Sequence, residues 1–95
     1  MSIRVAPPIV HRSEASRFEA AYPEGLAVCV YRRQGEVLLF THTEVPMALE
    51  GRGIAAALVQ AALDWARAEG LRVRPLCSYV AAYLRRHPET QDLLG

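Results

Sequence analysis

The fold turns on the stretch Glu44-Val45-Pro46-Met47-Ala48-Leu49-Glu50-Gly51-Arg52-Gly53-Ile54-Ala55-Ala56-Ala57-Leu58. Before it, apolar residues come in short β-branched and aromatic runs. After it, Ile54, Leu58, Ala61, Ala62 and Trp65 recur at helical spacing in an alanine-rich segment that Gly70 closes. The change of period predicts a strand, a link and then a long helix, with Gly51 and Gly53 at the junction. Small residues at a helix start leave backbone N–H groups uncovered, and the helix dipole adds partial positive charge there. That setting suits a phosphate. The same glycines would equally serve an ordinary loop-to-helix junction that needs their dihedral freedom.

Upstream, Leu26 to Arg33 is apolar on both faces and reads as a central strand. Gln34 and Gly35 make a hairpin turn, and Glu36 to Thr43 is the return strand. Ser16 to Tyr22, closed by Pro23-Glu24-Gly25, reads as the strand before them. Residues 1–15 are a lead-in with room for one short edge strand. Downstream, Leu71 to Leu76 is a strand interrupted by Pro75, and Tyr79 to Arg86 is a shorter helix ended by His87-Pro88. The order β-β-β-α-β-α predicts one α+β domain over residues 1–95, α/β three-layer-like, with a mixed, mostly antiparallel sheet. The strand after the crossover helix is expected to lie parallel to the strand before it.

Bulk properties remove several classes of function. Ninety-five residues fit one domain. Eleven basic residues, all arginine, against ten acidic ones give a formal charge of +1, so neither nucleic acid nor a membrane surface is an expected partner. A homodimer is left open. With no lysine there is no Schiff base and no Walker-type phosphate grip. Cys29 and Cys77 make no disulfide framework, the first ten residues lack a signal-peptide core, and the expected location is cytoplasmic. Cys77, His42 and His87 lack zinc-ligand spacing, so no metal is expected.

Two phosphate motifs fail here. A P-loop needs the missing lysine. Gly51-Arg52-Gly53-Ile54-Ala55-Ala56 matches the dinucleotide pattern G-x-G-x-x-A formally, but Pro46 and further residues separate it from its strand. Leu71 to Leu76 also offers no carboxylate for a ribose. A strand, a V-P link and x-G-R-G-I-A at a helix start instead resemble the coenzyme A signature of the GNAT acetyltransferase superfamily. With His42-Thr43-Glu44-Val45-Pro46, the run Pro75 to Tyr83 and Arg86-His87-Pro88-Glu89, the resemblance is to short stand-alone members and covers about residues 16–94.

The resemblance implies a minimal GNAT fold and an acyltransferase that takes acetyl-CoA and an amine, either small or on a protein. It implies that the cofactor pyrophosphate lies on Gly51, Arg52, Gly53, Ile54, Ala55 and Ala56, with Val45 beside it. The family's leading Gln or Arg falls on Glu50, a departure that sets a carboxylate near the phosphates. The pair of helices that shapes the acceptor site in larger members has no room here. An alternative is therefore a coenzyme A binding module with little turnover, and a third reading is a partner-binding domain that only keeps the fold. The resemblance puts Tyr83 where a tyrosine protonates the leaving thiolate, and Cys77 near the thioester. His42, at a strand end, is a candidate base for the acceptor or for Cys77. As bland counterparts, Tyr83 would be a core aromatic, Cys77 a small buried apolar group and His87 a helix-end cap.

Overall fold

A computed structural model describes residues 6–95. Five strands form one sheet in sequence order: β1 (Val10–Arg12), β2 (Arg17–Tyr22), β3 (Gly25–Gln34), β4 (Val37–Glu44) and β5 (Arg72–Pro75). Neighbours are antiparallel up to β4, whereas β4 and β5 are parallel, as the crossover demands. The crossover is α1 (Ile54–Ala68), and α2 (Ser78–Arg86) follows β5. The hairpin turn falls one residue later than expected, on Gly35-Glu36, and Pro75 ends its strand instead of interrupting it.

Phe18, Ala20, Ala27, Cys29, Tyr31, Leu38, Phe40 and Val73 face a single core. Leu58, Val59, Ala62 and Leu63 of α1 and Val80, Tyr83 and Leu84 of α2 fill the other side of it. The spacing of the α1 residues explains its formation: they make one apolar stripe that must be buried. Residues of both helices join that one core. Val28 and Leu39 alternate with core residues, point the other way and lie outside the core cluster.

Two features were not foreseen. Pro88–Leu93 is a further 3-10 segment, packed on α1, after which Leu94 bridges to Val73 in parallel. The β3–β4 register also slips at Val30/Tyr31, so β4 carries one extra residue near Thr41.

Candidate functional site: the parting of β4 and β5

Pairing of β4 with β5 ends at Phe40 opposite Pro75. Beyond it, the backbone N–H groups of Leu76 and Cys77 both donate to the Phe40 carbonyl, each at 2.9 Å. Two donors on one acceptor turn the chain out of the ladder, while β4 runs on to Glu44 with that edge unpaired. The strands part there, and the start of α1 stands over the gap. The resulting slot, about 440 Å³, is lined by Thr43, Val45, Leu49, Glu50, Gly51, Gly53, Ile54, Ala55 and Tyr79.

The start of α1 is built to present amides. Gly51 has φ 83° and Gly53 φ 75°, left-handed angles that cost other residues roughly 1–2 kcal/mol. A Cβ at either would meet nothing within 4 Å, so backbone shape and not crowding demands glycine. Gly53 is the N-cap and offers no side-chain bond, and the first amide bonded back into the helix is that of Ala57, to Gly53 O at 3.0 Å. The N–H groups of Ile54, Ala55 and Ala56 thus have no partner among the described residues, nor does the first turn hold an acidic residue. An anion of diphosphate shape fits this donor set. Glu50 also lines the slot and is exposed, so its carboxylate can turn to solvent.

Thr43 of the slot wall accepts from the Cys77 thiol through Oγ1 at 3.6 Å, and Cys77 is the N-cap of α2. Burial opposes its ionisation. The backbone N–H of Val80, the Thr43 hydroxyl and the Tyr79 N–H outweigh burial, and the thiol pKa falls below its ordinary value. Cys29, fully buried opposite Thr43, goes the other way, pushed up by burial to about 12. The two thiols are thus shifted in opposite directions.

Of the residues singled out in the sequence, Val45, Gly51, Gly53, Ile54 and Ala55 line the slot, and Cys77 reaches it through Thr43. Arg52 instead borders a hollow beside Tyr22 and Pro23. Ala56 faces the groove between α1 and α2. His42 is exposed and, one residue from Thr43, points to the opposite face of the sheet. Tyr83 lies in the α1–α2 groove, where its hydroxyl donates to Gln60 Oε1 and its ring stacks on His87 at 3.9 Å. Burial, then Glu89 and Asp64, raise the phenol's pKa. His87 Nδ1 lies 2.8 Å from the Tyr83 carbonyl, which fits its reading as a cap.

Sequence reading missed Thr43 and Tyr79 as slot residues. Tyr79 and Tyr83 lie one turn apart on one helix face, so periodicity could not tell which reaches the slot. A threonine on β4 that meets a cysteine just past the neighbouring strand β5 leaves no local signal.

Among the described residues no cluster of histidine, cysteine or carboxylate side chains could hold a metal ion, and no helix is long and apolar enough to cross a membrane. The family model described as GCN5-related N-acetyl-transferase matches residues 17–93. Protein NATD1 of Xenopus tropicalis is 36% identical over 93 residues, covering 97% of this chain and 84% of its own. Protein NATD1 of Homo sapiens is 41% identical over 68 residues, 70% of this chain and 60% of its own. The matched region of Protein NATD1 from Gallus gallus spans only 62% of that protein. A GCN5-like protein of Staphylococcus aureus, solved by NMR, superposes with a TM-score of 0.77 at 24% identity, covering 97% of this chain and 91% of its own. That likeness shows the shared fold. With the parted strands and the uncapped glycine turn, the match over most of its length establishes that this chain belongs to the GCN5-related N-acetyltransferase family.

Proposed function

We propose that the protein transfers an acyl group from acetyl-coenzyme A to an amine, with the pyrophosphate held by the amides from Gly51 to Ala56. One observation carries this reading: an uncapped helix start, shaped by two left-handed glycines, opens onto a slot whose wall includes Thr43, the hydrogen-bond partner of the Cys77 thiol. In the chemistry we assign, the Cys77 thiolate attacks the thioester carbonyl. A new C–S bond forms as the old one breaks, and the departing thiolate takes a proton from a tyrosine phenol, which regains it from solvent. The amine then enters from the opposite sheet face, where the strands part, attacks acyl-Cys77, releases the Cys77 thiolate and gives its proton to His42 on that face. Tyr79, which lines the slot, is better placed as that tyrosine than Tyr83, whose hydroxyl is engaged by Gln60.

Calorimetry with coenzyme A tests the binding half: Gly53→Val should abolish binding in a protein that stays folded, and unchanged affinity would remove the site. Thiol release from acetyl-CoA in the presence of amines tests turnover. A second reading, a coenzyme A binding module with little turnover, is favoured by Glu50 in the slot lining and by the short β1–β2 connection, only Ser13–Ala15 and Ser16. Coenzyme A binding without thiol release would select it.

A further inference from the structure

The sheet face turned away from the helices has a charge pattern of its own. Alternation and register place Arg12, Arg17, Arg32, Arg72 and Arg74 on it, against Glu19 and Glu44. Five of the eleven arginines meet two of the ten acidic residues there, so a nearly neutral chain is strongly polarised. The rows are ordered along β4. Glu44 stands opposite Val28, His42 opposite Val30, and Leu39 between Arg32 and Arg74. Val37 follows, opposite Arg72. Glu44 and His42 therefore mark the end of the face next to the parted strands, and the arginines lie farther down. Arg12 and Arg17 hold Glu19 between them, each at 2.8 Å, which leaves that trio with a net positive charge. Arg32 is exposed and makes no ion pair among the described residues.

We propose that this open face binds the acidic amino-terminal segment of a polypeptide and so delivers its terminal amine to the slot, an inference that rests on the acyl-transfer reading above. Glu44 attracts the ammonium form, and His42, one residue from Thr43, takes the proton that the amine sheds. Because of the bulge, His42 and Leu39 pair with Val30 and Arg32, only two residues or ~7 Å apart, which sets the carboxylates of the bound segment about two residues in from the amine. Arg32 stands at the row where those carboxylates fall, two strand spacings (~10 Å) from Arg74, whose guanidinium donates to the Gly95 carbonyl at 3.2 and 3.1 Å. A terminal amine suits the site better than a lysine side chain. Its ordinary pKa of ~7.7–8.0, against ~10.4, leaves far more of it neutral near pH 7. A nucleic acid suits the face less, because Glu19 and Glu44 repel phosphates and the register places no phenylalanine, tyrosine or tryptophan ring on it for bases to stack on.

The test uses the full chain and labelled peptides of one length with a free amino terminus, their third to sixth residues acidic, neutral or basic. Fluorescence anisotropy without cofactor should rank the acidic peptide at least tenfold tighter than the basic one, with affinity falling as salt rises. Arg32→Glu should weaken it roughly tenfold, and Arg85→Glu, on α2, should leave it unchanged. With acetyl-CoA, the acetyl group should appear on the peptide's α-amine. A lysine-only peptide with a blocked terminus should remain unmodified. Equal binding of the three peptides, tighter binding of a single-stranded oligonucleotide, or self-association that Arg32→Glu abolishes would each overturn the proposal. Coenzyme A calorimetry on the same samples separates the two readings. Normal cofactor binding without peptide selectivity sinks this inference alone, whereas peptide selectivity without cofactor binding sinks the acyl-transfer reading.

Discussion

At the residue scale the structure assigns opposite fates to chemically identical groups. Cys29 and Cys77 both adjoin Thr43, yet burial drives one thiol up to about 12 while backbone amides and the Thr43 hydroxyl bring the other below its ordinary value. Iodoacetamide should therefore alkylate Cys77 in the folded protein with a rate that rises through a lower pH than a free thiol's. Cys29 should react only after unfolding. Peptide mass spectrometry reads both, and labelling of Cys29 under native conditions would contradict the burial argument. The tyrosines separate in the same way. Tyr79→Phe should lower turnover with little change in cofactor affinity, the mark of an interaction made in the transition state, while Tyr83→Phe should leave turnover near wild type. The reverse result would restore the leaving-group role to Tyr83. Glu50→Gln should tighten coenzyme A by up to ~10-fold at low salt, about the ~1.4 kcal/mol of one nearby like charge, and the gain should shrink as salt is added. No change at low salt would mean that the Glu50 carboxylate points to solvent.

At the scale of elements, the junction from β4 to α1 does most to set the site, and its glycines are where sequence and geometry agree best. Gly53→Ala keeps the space free but places a Cβ on a left-handed residue, so it should cost roughly 1 kcal/mol of stability and weaken coenzyme A binding by re-aiming the first amides. Urea titration and calorimetry check the two effects separately, and a fully neutral substitution would show that the turn adapts. Four strands, two helices and the parallel crossover were legible because each follows from a period and its breakers: apolar runs, the helical spacing from Ile54, and Gly70. The edge strand β1 was foreseen only as room for a short edge strand in residues 1–15. What was not legible rests on contacts between distant residues. The β3–β4 bulge depends on how two strands register, the Phe40 carbonyl that takes two donors depends on where β5 leaves the sheet, and the Pro88–Leu93 segment is held by side chains from elsewhere. The glycine half of the site could thus be read from a local motif. In the other half, family resemblance pointed to Cys77, whereas Thr43 and Tyr79 emerged only from the topology.

At the scale of the whole molecule, the edge β1 is fastened to the core through one imidazole, and this makes acid stability specific. His11 stacks on Phe18 at 4.1 Å, meets the edge of Trp65 at 4.4 Å and shares a 2.6 Å hydrogen bond between Nε2 and the Tyr31 hydroxyl. The cage joins β1, β2, β3 and α1. Burial lowers the His11 pKa below its ordinary 6.5, and the Glu14 carboxylate opposes this only in part. The folded protein therefore favours neutral imidazole, and the unfolded chain binds the proton more readily. By linkage, stability is fully present above about 6.5 and is lost as pH falls below that value through the folded pKa. A second acid limb lies lower. Glu19, held down chiefly by its hydrogen bond to Arg12 and further by Arg17, contributes stability above its ordinary 4.5 that disappears as it protonates. Urea midpoints across the pH range should accordingly fall in two stages. In His11→Phe, which keeps the ring stack but cannot titrate, the upper stage should vanish and the lower should persist. At neutral pH this variant should be somewhat less stable than the parent, because the Tyr31 hydroxyl loses its partner and hydrogen bonds of this kind contribute ~0.5–1.5 kcal/mol. Glu19→Gln should do the converse, removing the lower stage alone. A single stage in the parent, or an upper stage that survives in His11→Phe, would show that the aromatic cage does not govern the acid response.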